Sequence, residues 1–144
     1  MNKAGRILQK RILAALISGG LLLLPSCGYT LPSGGAVVNG SGSIISGGGT
    51  MDITGSGNVA INWDSFNIAQ NETVNFKNMQ AVLNYVSGSG KSEIFGKLNG
   101  SGVNVFLINP NGILFGKTAQ VNVGQLTAST RKLDANALKG FNGR

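Results

Sequence analysis

Short β-type segments alternate with glycine- and asparagine-rich turns along most of this chain, and this alternation limits the fold more than any other feature. Runs rich in Val, Ile and Phe, such as NVAINW at 58–63 and VNVFLI at 103–108, are bounded by turn signals. Those signals include Asn39-Gly40, Gly47-Gly48-Gly49, Gly88-Ser89-Gly90 and Asn111-Gly112. No helical period of useful length occurs before Arg131. The pattern therefore predicts an all-β domain.

Internal recurrences indicate how the strands are arranged. The sequence IFGK at 94–97 returns as LFGK at 114–117, and VNV at 103–105 returns at 121–123. A period near twenty suits one coil of a parallel β-helix, in which like residues stack in successive coils and bury a common core. The alternatives are a β-sandwich and chance similarity within a sequence rich in Gly and Asn. If the recurrence sets the register, Phe95 stacks on Phe115, Val103 on Val121 and Val105 on Val123.

The run VNVFLI is apolar on both sides of the strand that it predicts. Val103, Val105 and Leu107 point one way, while Phe106 and Ile108 point the other. A strand exposed on one face would carry polar residues there. We therefore expect another element to cover the outer face, and AVLNYV at 81–86 is the candidate, as an extra-helical hairpin or an edge strand.

Composition removes most catalytic chemistry. The 144 residues are enough for one domain, and they include no His, one Cys and five acids. The commonest general base and metal ligand is thus absent, as is any disulfide framework. Asp52 and Asp64 are the candidate pair of a β-helical polysaccharide-degrading enzyme, but no Arg or His clusters with them. The sequence favours an interaction protein without catalysis, metal or cofactor.

The net charge of +7 is concentrated at the start of the chain. Four of the twelve cations lie within the first eleven residues, and the others are spread among turns and strands. No run of Lys and Arg alternates with aromatic residues, so the sequence does not predict nucleic-acid binding.

The N-terminal segment has the pattern of a secretory signal peptide. Residues 12–24 form an uncharged run of thirteen residues after the basic start. About 20 apolar residues are needed to span a bilayer, so this run fits a signal peptide covering 1–28, cleaved after Gly28, better than a membrane anchor. A buried core helix is one alternative. Lipidation of Cys27 is another, because Leu24-Pro25-Ser26-Cys27 is similar to a bacterial lipobox.

The segment Asn109-Pro110-Asn111-Gly112 lies between two β runs and matches a type I turn. Pro110 fixes φ at the second position, and the Asn109 side chain can accept a hydrogen bond from the backbone two residues on. Gly112 is expected to adopt a positive φ. Counted as one typical hydrogen bond, the loss in Asn109→Ala would be about 1 kcal/mol.

The order of several motifs resembles the N-terminal two-partner secretion domain of the filamentous haemagglutinin family, in particular its high-molecular-weight adhesin branch. The motifs are Asn62-Trp63-Asp64-Ser65-Phe66-Asn67-Ile68, Asn71-Glu72-Thr73-Val74-Asn75-Phe76, Asn109-Pro110-Asn111-Gly112-Ile113, Leu114-Phe115-Gly116 and Leu126-Thr127-Ala128-Ser129-Thr130. The resemblance covers about residues 31–130. Its structural signature falls on Trp63, Phe66, Phe76, Phe115 and Gly116.

The resemblance implies a right-handed parallel β-helix with an N-terminal cap and extra-helical strands. It also implies export from a Gram-negative cell to the outer surface or medium, through recognition by an outer-membrane β-barrel transporter with periplasmic domains. In the family the Asn-Pro-Asn-Gly-Ile motif, here Asn109 to Ile113, is required for secretion, and the domain helps to nucleate folding of a longer passenger.

The chain also departs from the family pattern. It has no second Asn-Pro motif, and Arg131-Lys132 stands where the family usually continues with an aliphatic strand. Family secretion domains extend beyond residue 144, so we expect residues 29–144 to be an incomplete secretion domain. Contacts with a host or neighbouring cell would then belong to a passenger outside this sequence.

Overall fold

Parallel main-chain pairing winds residues 50–129 into a solenoid. The computed structural model describes residues 30–144, so the predicted signal peptide and Cys27 lie outside the described residues. The described part contains β1 (Ala36–Gly47), β2 (Thr50–Trp63), β3 (Thr73–Lys77), β4 (Ala81–Val86), β5 (Ser92–Ile94), β6 (Lys97–Ile108), β7 (Ile113–Phe115), β8 (Gln120–Ser129) and α1 (Ala135–Lys139). Within it, the single helix follows Arg131, as the turn density predicts.

The solenoid has three faces. On the first face Thr50 pairs with Thr73, Thr73 with Lys97 and Lys97 with Gln120, so partners are 23, 24 and 23 residues apart. On the second face, residues 58–63 of β2 pair with β4, and β4 also pairs with residues 104–108 of β6. Those residues of β6 pair in turn with residues 125–129 of β8. The third face is formed by the Ile68–Ile94 bridge and the β5–β7 pair. We number the coils 1 (50–69), 2 (73–95), 3 (97–116) and 4 (120–129). The predicted parallel β-helix is confirmed.

The predicted stacking pairs are wrong. Phe115 pairs with Ile94 instead of Phe95. Val121 pairs with Leu98, and Val105 pairs with Leu126. The two VNV segments lie on different faces, because any strand with an inward apolar side fits the same alternating sequence. The true advance of 23 or 24 residues per coil on the first face also differs from the eighteen-residue spacing of that motif.

The core of the solenoid consists of the inward side chains of all three faces. On β2 the side chains that enter the core occupy every second position in each half of the strand, at Met51, Ile53, Val59, Ile61 and Trp63. The same alternation continues through successive coils and includes the buried residues Val74, Phe76, Val82, Ile94, Leu98, Val105 and Leu107. Each coil therefore buries its apolar residues against the coils above and below.

An N-terminal hairpin closes the first coil. β1 runs antiparallel to β2, with Ile44 opposite Ile53 and Gly47 opposite Thr50. Val37 and Ile44 of β1 pack against the core. This strand supplies hydrogen-bond partners to an edge of β2 that would otherwise be open, and it is the N-terminal cap that the family resemblance implies.

The cover on the second face is a different element from the one predicted. β4 was the candidate, but it pairs with β2 and β6 inside the solenoid, and all six of its residues are buried. The cover is residues 131–144, here called the C-terminal strap. Its side chains Leu133, Leu138 and Phe141 pack on the outer side of the second face, which is formed by Ala60, Ala81, Leu83, Tyr85, Phe106 and Ile108. A strand that is buried on both sides has a nearly continuous apolar sequence, and for this reason the sequence of β4 suggested a cover outside the solenoid.

The strap crosses the coils and reaches the cap. The backbone N–H of Leu133 donates to Tyr85 Oη at 3.3 Å, and Asn39 Nδ2 of β1 donates to the carbonyl of Phe141 at 2.8 Å. The rings of Phe106 and Phe141 meet edge to face at 5.4 Å. The strap therefore joins the C-terminal end of the solenoid to its N-terminal hairpin.

A ladder of polar side chains links the first face of all four coils. Asn75 Nδ2 donates to Asp52 Oδ1 at 2.8 Å, and Asn99 Nδ2 donates to Asn75 Oδ1 at 3.1 Å. Asn122 Nδ2 continues the ladder to Asn99 Oδ1 at 3.2 Å. Lys77 Nζ donates to the other Asp52 oxygen at 3.0 Å. Asn75 and Asn99 thus both donate and accept along the solenoid axis, and Asn122 donates at the end of the ladder, which favours one register over its neighbours.

A matched pair of leucines tests the solenoid core. Leu98 is fully buried, whereas Leu114 is 44% exposed. We expect Leu98→Ala to lower the free energy of unfolding by about 2–5 kcal/mol, because the surrounding coils cannot collapse into the cavity. Leu114→Ala should lower it by about 0.5 kcal/mol. Urea unfolding followed by circular dichroism measures both, and equal losses would contradict the described register.

The charged end of the ladder predicts a pH dependence. The hydrogen bond from Asn75, followed by that from Lys77, lowers the pKa of Asp52 below its ordinary value of 3.8. A lowered folded-state pKa stabilises the protein above the unfolded value, and this stabilisation is lost as pH falls through the folded value. In Asp52→Asn an amide oxygen still accepts from Asn75, but the ionisation is gone.

We therefore expect the wild type to lose more stability than Asp52→Asn between about pH 5 and about pH 2. Urea midpoints at each pH measure the difference. Asp64→Asn is the control, because it removes the same charge as Asp52→Asn. The Asp64 side chain accepts no hydrogen bond among the described residues. Parallel acid curves for wild type and Asp52→Asn would show that the ladder does not depend on the carboxylate.

Candidate functional site: the Asn109 turn and its neighbouring loop

The segment Asn109 to Gly112 forms the turn that its sequence predicts. The Gly112 N–H donates to the Asn109 carbonyl at 3.0 Å, which closes the turn. The Asn111 N–H donates to Asn109 Oδ1 at 2.9 Å. Gly112 has φ 116°, a conformation that a residue with a Cβ rarely adopts. Pro110 is half-buried at the top of the turn, and Ile113 begins β7.

The Asn109 side chain also binds the preceding coil, which the sequence did not indicate. Its Nδ2 donates to the Gly90 carbonyl at 3.0 Å and to Ser92 Oγ at 3.0 Å. Both Asn109 and Ser92 are fully buried. One amide therefore fixes its own turn through its oxygen and the neighbouring coil through its nitrogen.

Asn111 holds the same loop from the outside. Its Nδ2 donates to the Gly88 carbonyl at 2.7 Å, while the rest of the residue is exposed. Gly88 lies so close to coil 1 that an added Cβ would collide with the Asp64 carbonyl. Residues 88–91 are thus clamped between coil 1 and the Asn109 turn. We call residues 88–91 together with 109–112 the paired-turn surface.

Main-chain bonds set the height of this surface on the solenoid. The Asn109 N–H donates to the Ser129 carbonyl of coil 4 at 3.0 Å, and the Ser92 N–H donates to the Gly112 carbonyl at 2.9 Å. Ser92 also pairs with Ile113 in the β5–β7 ladder. The turn is therefore bonded to coils 2 and 4, and its exposed side presents Ser89, Gly90, Lys91 and Asn111 together.

The other signature residues lie apart from this surface and form packing contacts. Trp63, Phe66 and Phe76 are buried. The rings of Trp63 and Phe66 meet edge to face at 5.6 Å, and Trp63 Nε1 donates to Asn84 Oδ1 at 3.0 Å. Phe115 is half-buried in β7, and Gly116 lies directly against the ring of Phe95.

Glu72 is a buried acid whose role the sequence did not reveal. Its Oε2 accepts from the Thr30 N–H at 2.7 Å, and its Oε1 accepts from Thr30 Oγ1 at 2.9 Å and from the Ala69 N–H at 2.8 Å. The carboxylate thus anchors the first described residue to the turn before β3. The sequence offers little sign of this role, because an acid three residues after the start of a turn, as Glu72 is after Ala69, is common in exposed loops.

The two candidate catalytic acids are not assembled into a site. Asp52 lies near the start of β2 and is bonded to Asn75 and Lys77, whereas Asp64 follows the end of the same strand and is exposed. Within residues 30–144 no group of three His, Cys, Asp or Glu residues is placed to hold a metal ion. Among the same residues, no helix has the length and apolarity needed to cross a membrane.

Comparison with known proteins gives a consistent set of matches. The family model described as the TPS secretion domain matches residues 29–143. Two heme/hemopexin-binding proteins of Haemophilus influenzae are 43% identical over 77 residues and 42% identical over 83 residues. The matched segments cover 51% and 56% of this chain but only 8% and 9% of those relatives.

A solved structure is also similar. The crystal structure of the HMW1 secretion domain from Haemophilus influenzae superposes with a TM-score of 0.69 at 38% sequence identity. The match covers 74% of this chain and 29% of that one.

The two asparagines of the turn make different predictions for stability. Asn109→Ala leaves the buried Ser92 hydroxyl and the Gly90 carbonyl without this donor, so we expect a loss of about 2–4 kcal/mol rather than the value of one bond. Asn111→Ala removes an exposed bond and should cost about 1 kcal/mol or less. Urea unfolding of both variants measures the difference. A larger loss for Asn111→Ala would contradict the burial described for Asn109.

Proposed function

Because the chain belongs to the family of two-partner secretion (TPS) domains, we propose that its paired-turn surface is the part recognised by the outer-membrane transporter of the pathway. Exoproteins of this family are secreted across the outer membrane, and their secretion domain is the element that the partner transporter recognises. The present chain is such a secretion domain.

The burial of Asn109 supports this location. Asn109 is fully buried, so its side chain offers no surface to a partner. The exposed residues that it holds in place are Ser89, Gly90, Lys91 and Asn111. Asn109 therefore acts as a positioning residue, and the transporter binds the exposed residues of the two turns that Asn109 joins.

The charge of this surface is small. Lys91 Nζ lies 3.3 Å from Glu93 Oε2, and both side chains are substantially exposed. The remaining exposed groups are backbone amides and carbonyls, Ser89 and the Asn111 amide. Recognition by shape and hydrogen bonding is consistent with such a surface, because glycine-rich turns let a partner approach the backbone closely.

We further propose the route to the transporter. Residues 1–28 would direct the chain across the inner membrane and be removed after Gly28, so that the transporter's periplasmic domains meet residues 29–144. The uncharged run at 12–24 after a basic start supports this step. Lipidation at Cys27 is the alternative, and it would add acyl mass to a mature N-terminus that begins at residue 27.

A second role, the nucleation of folding, follows from the edges of the solenoid. β1 occupies one edge of the first coil, whereas β8 pairs with β6 and has no other strand partner among the described residues. New coils can therefore add at the β8 edge, where the register is already set. The names of the two relatives concern heme and hemopexin, but the chain matches under a tenth of their length, so our proposal concerns export alone.

Secretion and stability can be separated by comparing a turn variant with a core variant. Val105 is 1% exposed, and its side chain lies in the solenoid core rather than on the paired-turn surface. We expect Val105→Ala to cost about 2–3 kcal/mol, similar to Asn109→Ala. Asn109→Ala should lower the extracellular yield at least ten-fold more than Val105→Ala in cells that carry the partner transporter. Immunoblots of medium and periplasm, together with urea unfolding of the purified variants, measure both properties.

Asn111→Ala provides the surface arm of the experiment. It is nearly neutral for stability but removes an exposed amide and the bond to Gly88, so we expect it to reduce secretion while Leu114→Ala does not. Equal secretion of Asn109→Ala and Val105→Ala would show that the motif contributes stability alone. Normal secretion of both asparagine variants would place recognition elsewhere.

A further inference from the structure

The C-terminal strap does not fill the outer side of the second face completely. A groove of about 310 Å³ remains between the strap and coils 2 to 4. Its floor is formed by Leu83, Phe106 and Ile108, and Leu133 and Phe141 of the strap line its other side. Thr127 and Ser129 of β8 contribute hydroxyl groups. Small apolar clefts with few polar groups are the usual form of a binding site.

The rim of this groove is positive. Arg131 and Arg144 line it, and Lys132 and Lys139 lie on the same strap, so the strap holds four of the eight cations in residues 30–144. Its one acid, Asp134, is occupied as the N-cap of α1, where Oδ1 accepts from the Ala137 N–H at 2.8 Å. The two ion pairs found among the described residues involve Lys77 and Lys91, neither of which is on the strap.

We propose that this groove binds a segment of a partner protein in which one aromatic or large aliphatic side chain is flanked by carboxylates. The volume accommodates one or two such side chains. The two guanidinium groups can each form paired hydrogen bonds to a carboxylate, which combines attraction with defined geometry. A buried apolar anchor ringed by polar contacts is the common arrangement of an interaction hot spot.

The groove adjoins the paired-turn surface. Ile108 lines the groove and immediately precedes Asn109, and the Asn109 N–H donates to the carbonyl of Ser129, another lining residue. A partner bound at the turns could therefore extend into the groove without crossing another element. The groove proposal rests on the proposed function only for the identity of that partner.

The packing of the strap argues for a protein partner rather than a lipid surface. A helix that lies in a membrane interface needs an unoccupied apolar face. Leu133, Leu138 and Phe141 are already packed on the solenoid, and α1 is only five residues long. The apolar surface that remains is concave, so it can receive a side chain but cannot insert into a bilayer.

Nuclear magnetic resonance titration of the ¹⁵N-labelled protein with short peptides tests the proposal. The probe is an acetylated and amidated Gly-Glu-Phe-Glu-Gly, and the comparison peptides replace both Glu by Lys or Phe by Gly. We expect the amide signals of Phe106, Ile108 and Arg131 to shift with the first peptide alone. The combined variant Arg131→Glu with Arg144→Glu should weaken binding at least ten-fold.

Two further variants control for charge and folding. Lys97→Glu with Lys117→Glu makes the same charge change at residues that do not line the groove and should leave binding within two-fold of the wild type. Arg131→Lys with Arg144→Lys keeps the charge and should retain part of the affinity. Circular dichroism of each variant before titration verifies the fold.

Several results would overturn the proposal. One is the absence of any shift up to about 10 mM peptide, because a single anchored side chain should bind more tightly than that. Another is a loss of affinity in the Lys97→Glu, Lys117→Glu variant equal to that in the Arg131→Glu, Arg144→Glu variant. A third is binding of the Lys-containing peptide as tight as that of the Glu-containing peptide. Groove shifts caused by phosphatidylglycerol vesicles but not by the peptide would assign the site to a membrane instead. If the peptide fails while Asn109→Ala still blocks secretion, the groove proposal alone is rejected. If the peptide binds while both asparagine variants are secreted normally, the paired-turn proposal alone is rejected.

Discussion

Parallel hydrogen bonding between coils is the constraint on which the rest of this structure depends. A single coil has no core of its own, so each strand must align its inward side chains with those of the coils on either side. The advance of 23 or 24 residues on the first face is fixed by this requirement, while the connections between faces vary. The β4–β5 connection has five residues and the β6–β7 connection has four. The Asn109 turn lies against the longer β4–β5 loop, and its side chain supplies a hydrogen-bond donor to the Gly90 carbonyl of that loop.

In the proposed recognition of the paired-turn surface, Asn109 acts without being touched, because its side chain is fully buried. Its amide joins two turns through bonds to Gly90, Ser92 and Asn111. Without it, the turns would keep their exposed groups but be positioned by fewer bonds, namely the main-chain bond from Ser92 to Gly112 and the side-chain bond from Asn111 to Gly88. A partner that binds both turns depends on their relative position, because it can contact the second turn only when binding to the first turn brings it close enough. The proposal therefore requires that Asn109→Ala affects export more than it affects stability.

The fold class, the solenoid and the Asn109 turn are predictable because they depend on local patterns: turn residues, alternation and the needs of φ at Gly112. The register was not predictable, because VNV at 103–105 and at 121–123 suits either face equally well. The strap was missed because α1 is too short to show a helical period, and its apolar residues Leu133, Leu138 and Phe141 contact strands far away in sequence. The contacts of Asn109 to Gly90 and Ser92 span 19 and 17 residues, and a glycine-rich loop gives no local sign of them.

The strap changes the energetics expected for a solenoid. In a simple stack each coil contacts only its neighbours, so an end coil can separate at little cost to the other end. Here the chain leaves β8, crosses the second face and bonds to Asn39 of the N-terminal hairpin. Detaching coil 4 would pull on the strap and uncover Leu83 and Phe106 as well as the core. Coil 4 is thus linked to the cap, and the Asn109 turn lies between two ends that are held together.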